Sequence, residues 1–325
     1  MQLIDADTVH RLLDYPGLID ALADAHRGDE PMIDRSLLQA DESGPHGGES
    51  FLVLPAWRPG RAMGVKIATV MPRNGSRHPG LPTIHALYPL FDGDTGEPLA
   101  VIDGTALTLR KTAADSALGA RLLARADAGT LLMVGAGALA PHLVAAHRAA
   151  RPSLRRVLVW NRSAEQRDRL VERLCGDGVE ADAVGELEEA AGEADVICCA
   201  TSSTEPLVRG AWLRPGTHLD LVGAYNPGLR ESDDECVRRA TLFVDWRGST
   251  VEAAGDLVQP IADGVIGAGD IAADLFALCR GEHGGRRDDD EITLYKNGGG
   301  GHLDLFTAEY LVTRLHDRAQ GEVSS

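Results

Sequence analysis

Residues 135–140 read Gly-Ala-Gly-Ala-Leu-Ala. They follow a short apolar run at 131–134 and open an alanine-rich stretch with helical texture. A strand that turns through Gly135-x-Gly137-x-x-Ala140 into a helix constrains the fold more than any other feature of this chain. Gly135 permits the tight turn, Gly137 lets backbone approach a pyrophosphate, and Ala140 keeps helix and strand close. The helix N-terminus offers free N–H groups and a positive dipole end to the same anion. Ala138 and Leu139, inside the motif, are counted with its contact residues. Further strand candidates at 157–160, 179–184, 196–200, 218–222 and 242–244 alternate with helical patterns. That alternation predicts an α/β fold with a Rossmann-type, doubly wound parallel sheet.

The end of the second strand selects the cofactor. A carboxylate there would bind the ribose 2′-OH of NAD, but this chain has Asn161-Arg162-Ser163. Nothing repels a 2′-phosphate, and Arg162 can pair with it. A charge-assisted hydrogen bond contributes about 1.5–3 kcal/mol, roughly tenfold to a hundredfold in affinity. NADP(H) is therefore the expected cofactor, with NAD(H) the alternative. Thr201 stands at the C-terminal end of the 196–200 run, and Val222-Gly223-Ala224 at the analogous end of the next, where ligand crevices open in such sheets. Cys198 and Cys199 read as core residues.

Before residue 129 the texture differs. Residues 1–30 read as helices, with Asp7 a candidate cap; residues 40–50 are loop-like; runs at 51–54, 62–70, 84–91 and 98–102 suggest a meander. A helix is expected from about 105 to 126, and another at 303–316 packing back on the N-terminal part. The 325 residues suit about two domains. A formal charge of −17 argues against nucleic acid and anionic membranes, and no apolar run approaches the roughly 18 residues of a membrane helix. The first residues lack a signal-peptide pattern, and the five cysteines form no C-x-x-C pair, so a reduced, cytoplasmic protein is expected. No metal is expected, since the histidines show no ligand spacing. Only three of the 32 basic residues are lysine: Lys66, Lys111 and Lys296. In so arginine-biased a chain, lysines can persist where a bulky, permanently charged Arg cannot replace them.

Together these motifs resemble the ornithine cyclodeaminase/mu-crystallin family over nearly the whole length. The matching stretches are Gly64-Val65-Lys66-Ile67 with Asn74, Gly80-Leu81-Pro82-Thr83, Thr95-Gly96-Glu97-Pro98, and Asp103-Gly104 through Thr112-Ala113-Ala114. They continue with Val134-Gly135-Ala136-Gly137, Trp160-Asn161-Arg162, and Ile292-Thr293-Leu294-Tyr295-Lys296-Asn297-Gly298 with Asp304. The resemblance implies a homodimer, a nicotinamide cofactor and a small amino-acid or cyclic-imine substrate. It implies an α+β substrate and dimerisation domain, residues 1–112 completed by 302–325, beside a Rossmann domain at 113–301. Lys66 matches the family's active-site lysine, and Arg35 the arginine for the substrate carboxylate. Thr83 and Thr201 match cofactor-contacting threonines, and Thr112 and Asn297 fall in motifs counted with them.

Two departures narrow the reaction. The family commonly has Arg before Thr112-Ala113-Ala114, and this chain has Lys111, which keeps the charge but loses the bidentate fork. Cyclodeaminases carry a catalytic Asp where this chain has Tyr225, a phenol poorly suited to act as a base near neutrality. The expected reaction is therefore NADPH-dependent reduction of a cyclic ketimine carboxylate such as Δ1-pyrroline-2-carboxylate. Arg35, Lys66 and Lys111 are the candidate cations, and clustering them would tune a lysine toward neutrality. The proton donor is Lys66 itself, Lys66 through water, or none if the substrate binds as an iminium. Rival readings are a cyclodeaminase-type lyase, an alanine-dehydrogenase-type enzyme and a non-catalytic NADPH-binding protein.

Overall fold

The computed structural model describes residues 1–41, 46–78 and 80–323. Residues 42–45 of the expected loop and 324–325 of the expected C-terminal segment lie outside the described residues. The chain forms two compact units: Met1–Lys111 joined by the chain from Gly301 on, and Thr112–Gly300. The chain passes from the first to the second within the helix Gly104–Leu123.

The second unit holds an eight-stranded sheet, and every recorded pairing in it is parallel. Its order is Glu180–Ala183, Arg156–Trp160, Thr130–Val134, Val196–Cys199, His218–Leu221, Thr293–Lys296, Thr241–Val244, Ile271–Asp274. Thr130–Val134 and Val196–Cys199 read as near-continuous apolar runs, as strands buried on both faces do. Winding reverses between Thr130–Val134 and Val196–Cys199, which places a ligand crevice at their C-terminal ends. Two features escaped the sequence reading. Ile271–Asp274 is a four-residue edge strand with two alanines, which carries little strand signal. Thr293–Lys296 inserts between two earlier strands, a placement no local pattern encodes.

In the first unit, seven strands form a mixed sheet in which Gln2–Ile4 runs parallel to Pro98–Asp103 and the other pairings are antiparallel. The expected helical start at 1–30 is thus corrected, because its first residues extend that sheet. The first helix, Ala6–Leu12, is capped by Asp5 rather than Asp7: the Thr8 N–H donates to Asp5 Oδ1 at 2.9 Å. Along Ala62–Val70 burial alternates, with Ala62, Gly64, Lys66 and Ala68 on the buried face. The helix Gly301–Val323 packs on that strand and on the helix Tyr15–Arg27. This helix starts earlier than the expected residue 303, so His302 lies in its first turn, fully buried. No helix among the described residues is long and apolar enough to cross a membrane.

Candidate active site

In the first unit, strand alternation turns Lys66 toward the C-terminal helix, where it meets Asp304. Lys66 Nζ lies 2.8 Å from Asp304 Oδ2, and Lys111 Nζ lies 3.7 Å from the same oxygen. The Lys66–Asp304 approach is close but poorly aligned for a hydrogen bond, so it acts as an ion pair. Asp304 and Lys111 are sealed, whereas Lys66 keeps 8% of its side chain open. Such a cluster contributes little to stability, because desolvating three charges offsets their attraction. The cluster sets two lysines beside one carboxylate, and Lys66 is the member that opens to solvent. The expected pile-up of cations is therefore a cation–carboxylate–cation cluster.

Local sequence explains how these groups meet. A Cβ at Gly64 would lie 2.5 Å from Tyr88 Oη, so glycine there lets the buried tyrosine pack beside Lys66. Burial, then Asp304 and Glu309, push the Tyr88 hydroxyl well above its usual range, so it stays protonated. Arg110 and Lys111 are neighbours in sequence but separate in role. Arg110 stacks on the Tyr15 ring at 4.7 Å and donates to the His10 carbonyl at 2.9 Å. Lys111 is left as the cation that points inward. His302 stands edge-on to His26, 5.4 Å between ring centroids. Burial, then His26 and Lys111, hold its imidazole well below the usual range, so it is neutral. Arg35 stays outside the cluster, exposed between the strands Met32–Ile33 and Ser36–Gln39. Thr83 is exposed at the start of Ile84–Asp92, its carbonyl held by the Met71 N–H at 2.7 Å.

The second unit assembles the glycine-rich turn and strand ends. Gly135 has φ 110°, and a Cβ there would lie 2.6 Å from the Ala200 carbonyl, so only glycine fits. A Cβ at Gly137 would meet open space, the room a pyrophosphate needs. Beside it, Ala136, Gly137, Ala138 and Pro141 face Gln166, Arg169 and Arg173 across a cleft of about 300 Å³. Leu139 precedes the helix Ala140–Ala150. Ser163 caps the next helix, Ala164–Gly176, and the Asn161 amide donates to the Ser163 carbonyl at 3.0 Å. Arg162 is exposed, and no carboxylate among the described residues pairs with it. These residues fit a dinucleotide.

The strand ends are more heavily occupied than expected. Thr201 donates to Glu231 Oε1 through its N–H at 2.6 Å and its hydroxyl at 2.8 Å. Gly223 donates to Glu231 Oε2 at 2.6 Å. Val222 and Ala224 are buried beside it. The Asn297 amide donates to the Thr112 carbonyl and to Ser116 Oγ, both at 3.0 Å, and its own Oδ1 has no donor among the described residues. In the run Gly298-Gly299-Gly300-Gly301, Gly298 and Gly299 donate to Asp245 Oδ2 at 3.0 and 2.8 Å. Lys296 is fully buried, 3.2 Å from Asp256 Oδ2. Tyr225 is 48% exposed, at the rim of its turn.

Deeper in the same sheet lies a cluster that linear spacing concealed. His147 Nε2 and Cys198 Sγ lie 3.1 and 3.0 Å from Asp220 Oδ2, and Ser116 Oγ donates to Asp220 Oδ1 at 3.0 Å. Burial works to raise the Asp220 carboxyl, but the bonds from His147 and Cys198 outweigh it and hold it below the usual range. The three groups form a hydrogen-bonded core network, in which His147 Nδ1 has no partner among the described residues. Burial pushes the Cys198 and Cys199 thiols well up, as inert core residues require.

Residues 16–319 match the model of the ornithine cyclodeaminase/mu-crystallin family. The chain belongs to that family. It is 44% identical over 301 residues to the Δ1-pyrroline-2-carboxylate reductase of Paracoccus denitrificans, covering 92% of each chain. Its fold superposes on the Δ1-pyrroline-2-carboxylate reductase of Thermococcus litoralis, solved with NADH and L-proline, with a TM-score of 0.91, 29% identity and 98% of each chain covered. It also superposes on a dimeric archaeal alanine dehydrogenase with bound NAD, with a TM-score of 0.88, 26% identity and coverage of 98% of this chain and 97% of that one. Asp304 and Glu231 are the site residues that sequence reasoning missed. Asp304 stood inside a matching motif with no role attached; Glu231 had no local signal.

Proposed function

We propose that this family member reduces a cyclic ketimine carboxylate, most simply Δ1-pyrroline-2-carboxylate to proline, with NADPH as its preferred reductant. That the chain is an oxidoreductase acting on a C=N bond rests on its likeness to the two pyrroline-2-carboxylate reductases. The observation that carries the substrate class is the Lys66–Asp304–Lys111 cluster, in which Lys66 is the cation that opens to solvent and can meet one small carboxylate. When bound, the reduced nicotinamide supplies the hydride.

The chain's own residues do the rest. Lys111 is sealed and fixed, so it serves as the constant charge opposite the substrate carboxylate. Asp304 holds Lys66 in place and keeps it oriented. Lys66 keeps an opening to solvent, so it can give a proton to the ring nitrogen as the C=N bond becomes C–N and regain one from water. His302, held neutral, adds no further charge. Tyr225, exposed in place of an acidic base, favours reduction over cyclodeamination.

Arg162 supports the choice of NADPH. Steady-state rates with NADPH and NADH against pyrroline-2-carboxylate, piperideine-2-carboxylate, pyruvate with ammonia, and ornithine test the whole reading. Imine reduction with the lower KM for NADPH is expected. Arg162→Ala should raise the KM for NADPH by about tenfold to a hundredfold and leave that for NADH unchanged. Equal KM values in the wild type would remove the cofactor claim, and ammonia release from ornithine would remove the reductase.

The protein is also proposed to be a homodimer. Register puts Leu3, Met32, Leu38, Phe51, Trp57 and Leu87 on one face of the first unit's sheet, all exposed in the single chain. A contiguous apolar face of this kind marks an association surface. Light scattering should give twice the chain mass, and Phe51→Glu should reduce it to one.

A further inference from the structure

Glu231 is buried in the second unit, beyond any part of the chemistry described above. Its two carboxylate oxygens are divided between two strand ends. Oε1 takes both donors of Thr201, which follows Val196–Cys199, and Oε2 takes the N–H of Gly223, which follows His218–Leu221. The strand ends approach so closely that a Cβ on Gly223 would overlap the Thr201 carbonyl. The glutamate is itself anchored. Its own N–H and that of Ser232 donate to Asp256 Oδ1 at 2.8 and 3.2 Å, and Asp256 Oδ2 faces Lys296 Nζ at 3.2 Å. Lys296 sits on Thr293–Lys296, which pairs with His218–Leu221. One lysine, two carboxylates and three backbone segments thus form a single strut.

We propose that Glu231 is a positioning residue for hydride transfer, tying Thr201 to Gly223 so that these two strand ends form a rigid seat for the nicotinamide end of the dinucleotide. This rests on the reading that the dinucleotide binds at the C-terminal ends of the parallel strands. A carboxylate suits the task because it accepts at both oxygens and donates at neither. A protonated carboxyl, or an amide, turns one of those acceptors into a donor that faces an N–H. The groups facing Glu231 are Lys296 and Asp256, with the thiols of Cys198 and Cys199 beyond. Burial pushes the Glu231 carboxyl up to about 7, with Lys296 opposing and Asp256 adding to the rise. The strut is therefore intact when Glu231 is ionised and weakened as pH falls below about 7.

The test compares the full-length wild type with Glu231→Gln and the milder Thr201→Val. Single-turnover oxidation of NADPH by pyrroline-2-carboxylate reports the hydride step. Binding of 2′-phospho-ADP-ribose, which lacks the nicotinamide, reports the remaining cofactor contacts. Glu231→Gln is expected to slow the hydride step by about tenfold to a hundredfold, the cost of a misplaced reactant, with fragment binding unchanged. Thr201→Val should slow it less, in the same direction. The wild-type rate should rise with pH through about 7, and the Glu231→Gln profile should be flat there. An unchanged hydride rate in both variants overturns the proposal. So does an equal loss of fragment binding, which would mark Glu231 as merely structural. A wild type that binds neither NADPH nor the fragment overturns the functional reading and this proposal together.

Discussion

Each unit of this protein buries a lysine against an aspartate, and the two pairs are built differently. In the first unit Lys66 meets Asp304 at 2.8 Å, a second lysine shares the same oxygen, and Asp304 Oδ1 has no donor among the described residues. In the second unit Lys296 meets Asp256 at 3.2 Å, both fully sealed, and Asp256 Oδ1 accepts two backbone N–H groups. The first arrangement leaves the Asp304 acceptors without hydrogen bonds among the described residues and one lysine open to solvent. The second commits one carboxylate oxygen to joining backbone segments, while among the described residues Asp256 Oδ2 and Lys296 Nζ make only their ion pair. A buried ion pair therefore carries no single meaning; its role follows from what its remaining valences do.

Cutting each pair on the lysine side should give opposite signatures. Lys66→Met is expected to lower kcat/KM for the imine by about a thousandfold, within the usual range for a positioned acid. Its melting temperature should change little, because Lys111 still faces Asp304. Lys296→Met leaves the Asp256 and Glu231 carboxylates buried without their cation, and the loss of one partner of such a pair costs about 3–5 kcal/mol. Thermal denaturation should show that loss directly. If Lys66→Met melts earlier than Lys296→Met, the contrast drawn here fails.

The smallest effect is in the pH dependence of stability. The His218 imidazole is depressed to about 3, and that of His302 well below its usual value, both chiefly by burial. Below about 6.5, and down to about 3 at His218, the unfolded chain binds protons that the folded chain refuses, so stability falls as pH drops below about 6.5. Glu231 acts in the opposite sense. Its folded carboxyl is raised from 4.5 to about 7, so its contribution is full below 4.5 and lost as pH rises through about 7. Two histidines outweigh one glutamate, so a net loss of stability remains as pH falls where they overlap. Urea titrations from pH 7 to 5 check this, and Glu231→Gln should steepen the loss.

Much of this contrast was legible in the sequence, and the illegible part has a physical cause. The glycine turn announced itself because Gly135 needs a backbone that only glycine adopts easily, and Gly137 needs empty space. Lys66 stood out through its motif and through the scarcity of lysine. Asp304 was hidden because its partners lie over 190 residues away in sequence, brought close only when the C-terminal helix closes on the sheet. His147, Cys198 and Asp220 share no spacing because they come from one helix and two strands. Glu231 follows no helix or strand signal and works through backbone N–H groups, which every residue possesses. Lys296 reads as a strand residue, and its countercharge arrives from a helix 40 residues earlier.

The most direct test of the central claim is a crystal structure of the protein with oxidised dinucleotide and L-proline. Proline is predicted beside the open side of the cluster, with its carboxylate within hydrogen-bond reach of Lys66 and facing the charge of Lys111 behind it. Proline bound elsewhere, with the Lys66–Asp304–Lys111 cluster closed and untouched, would contradict it.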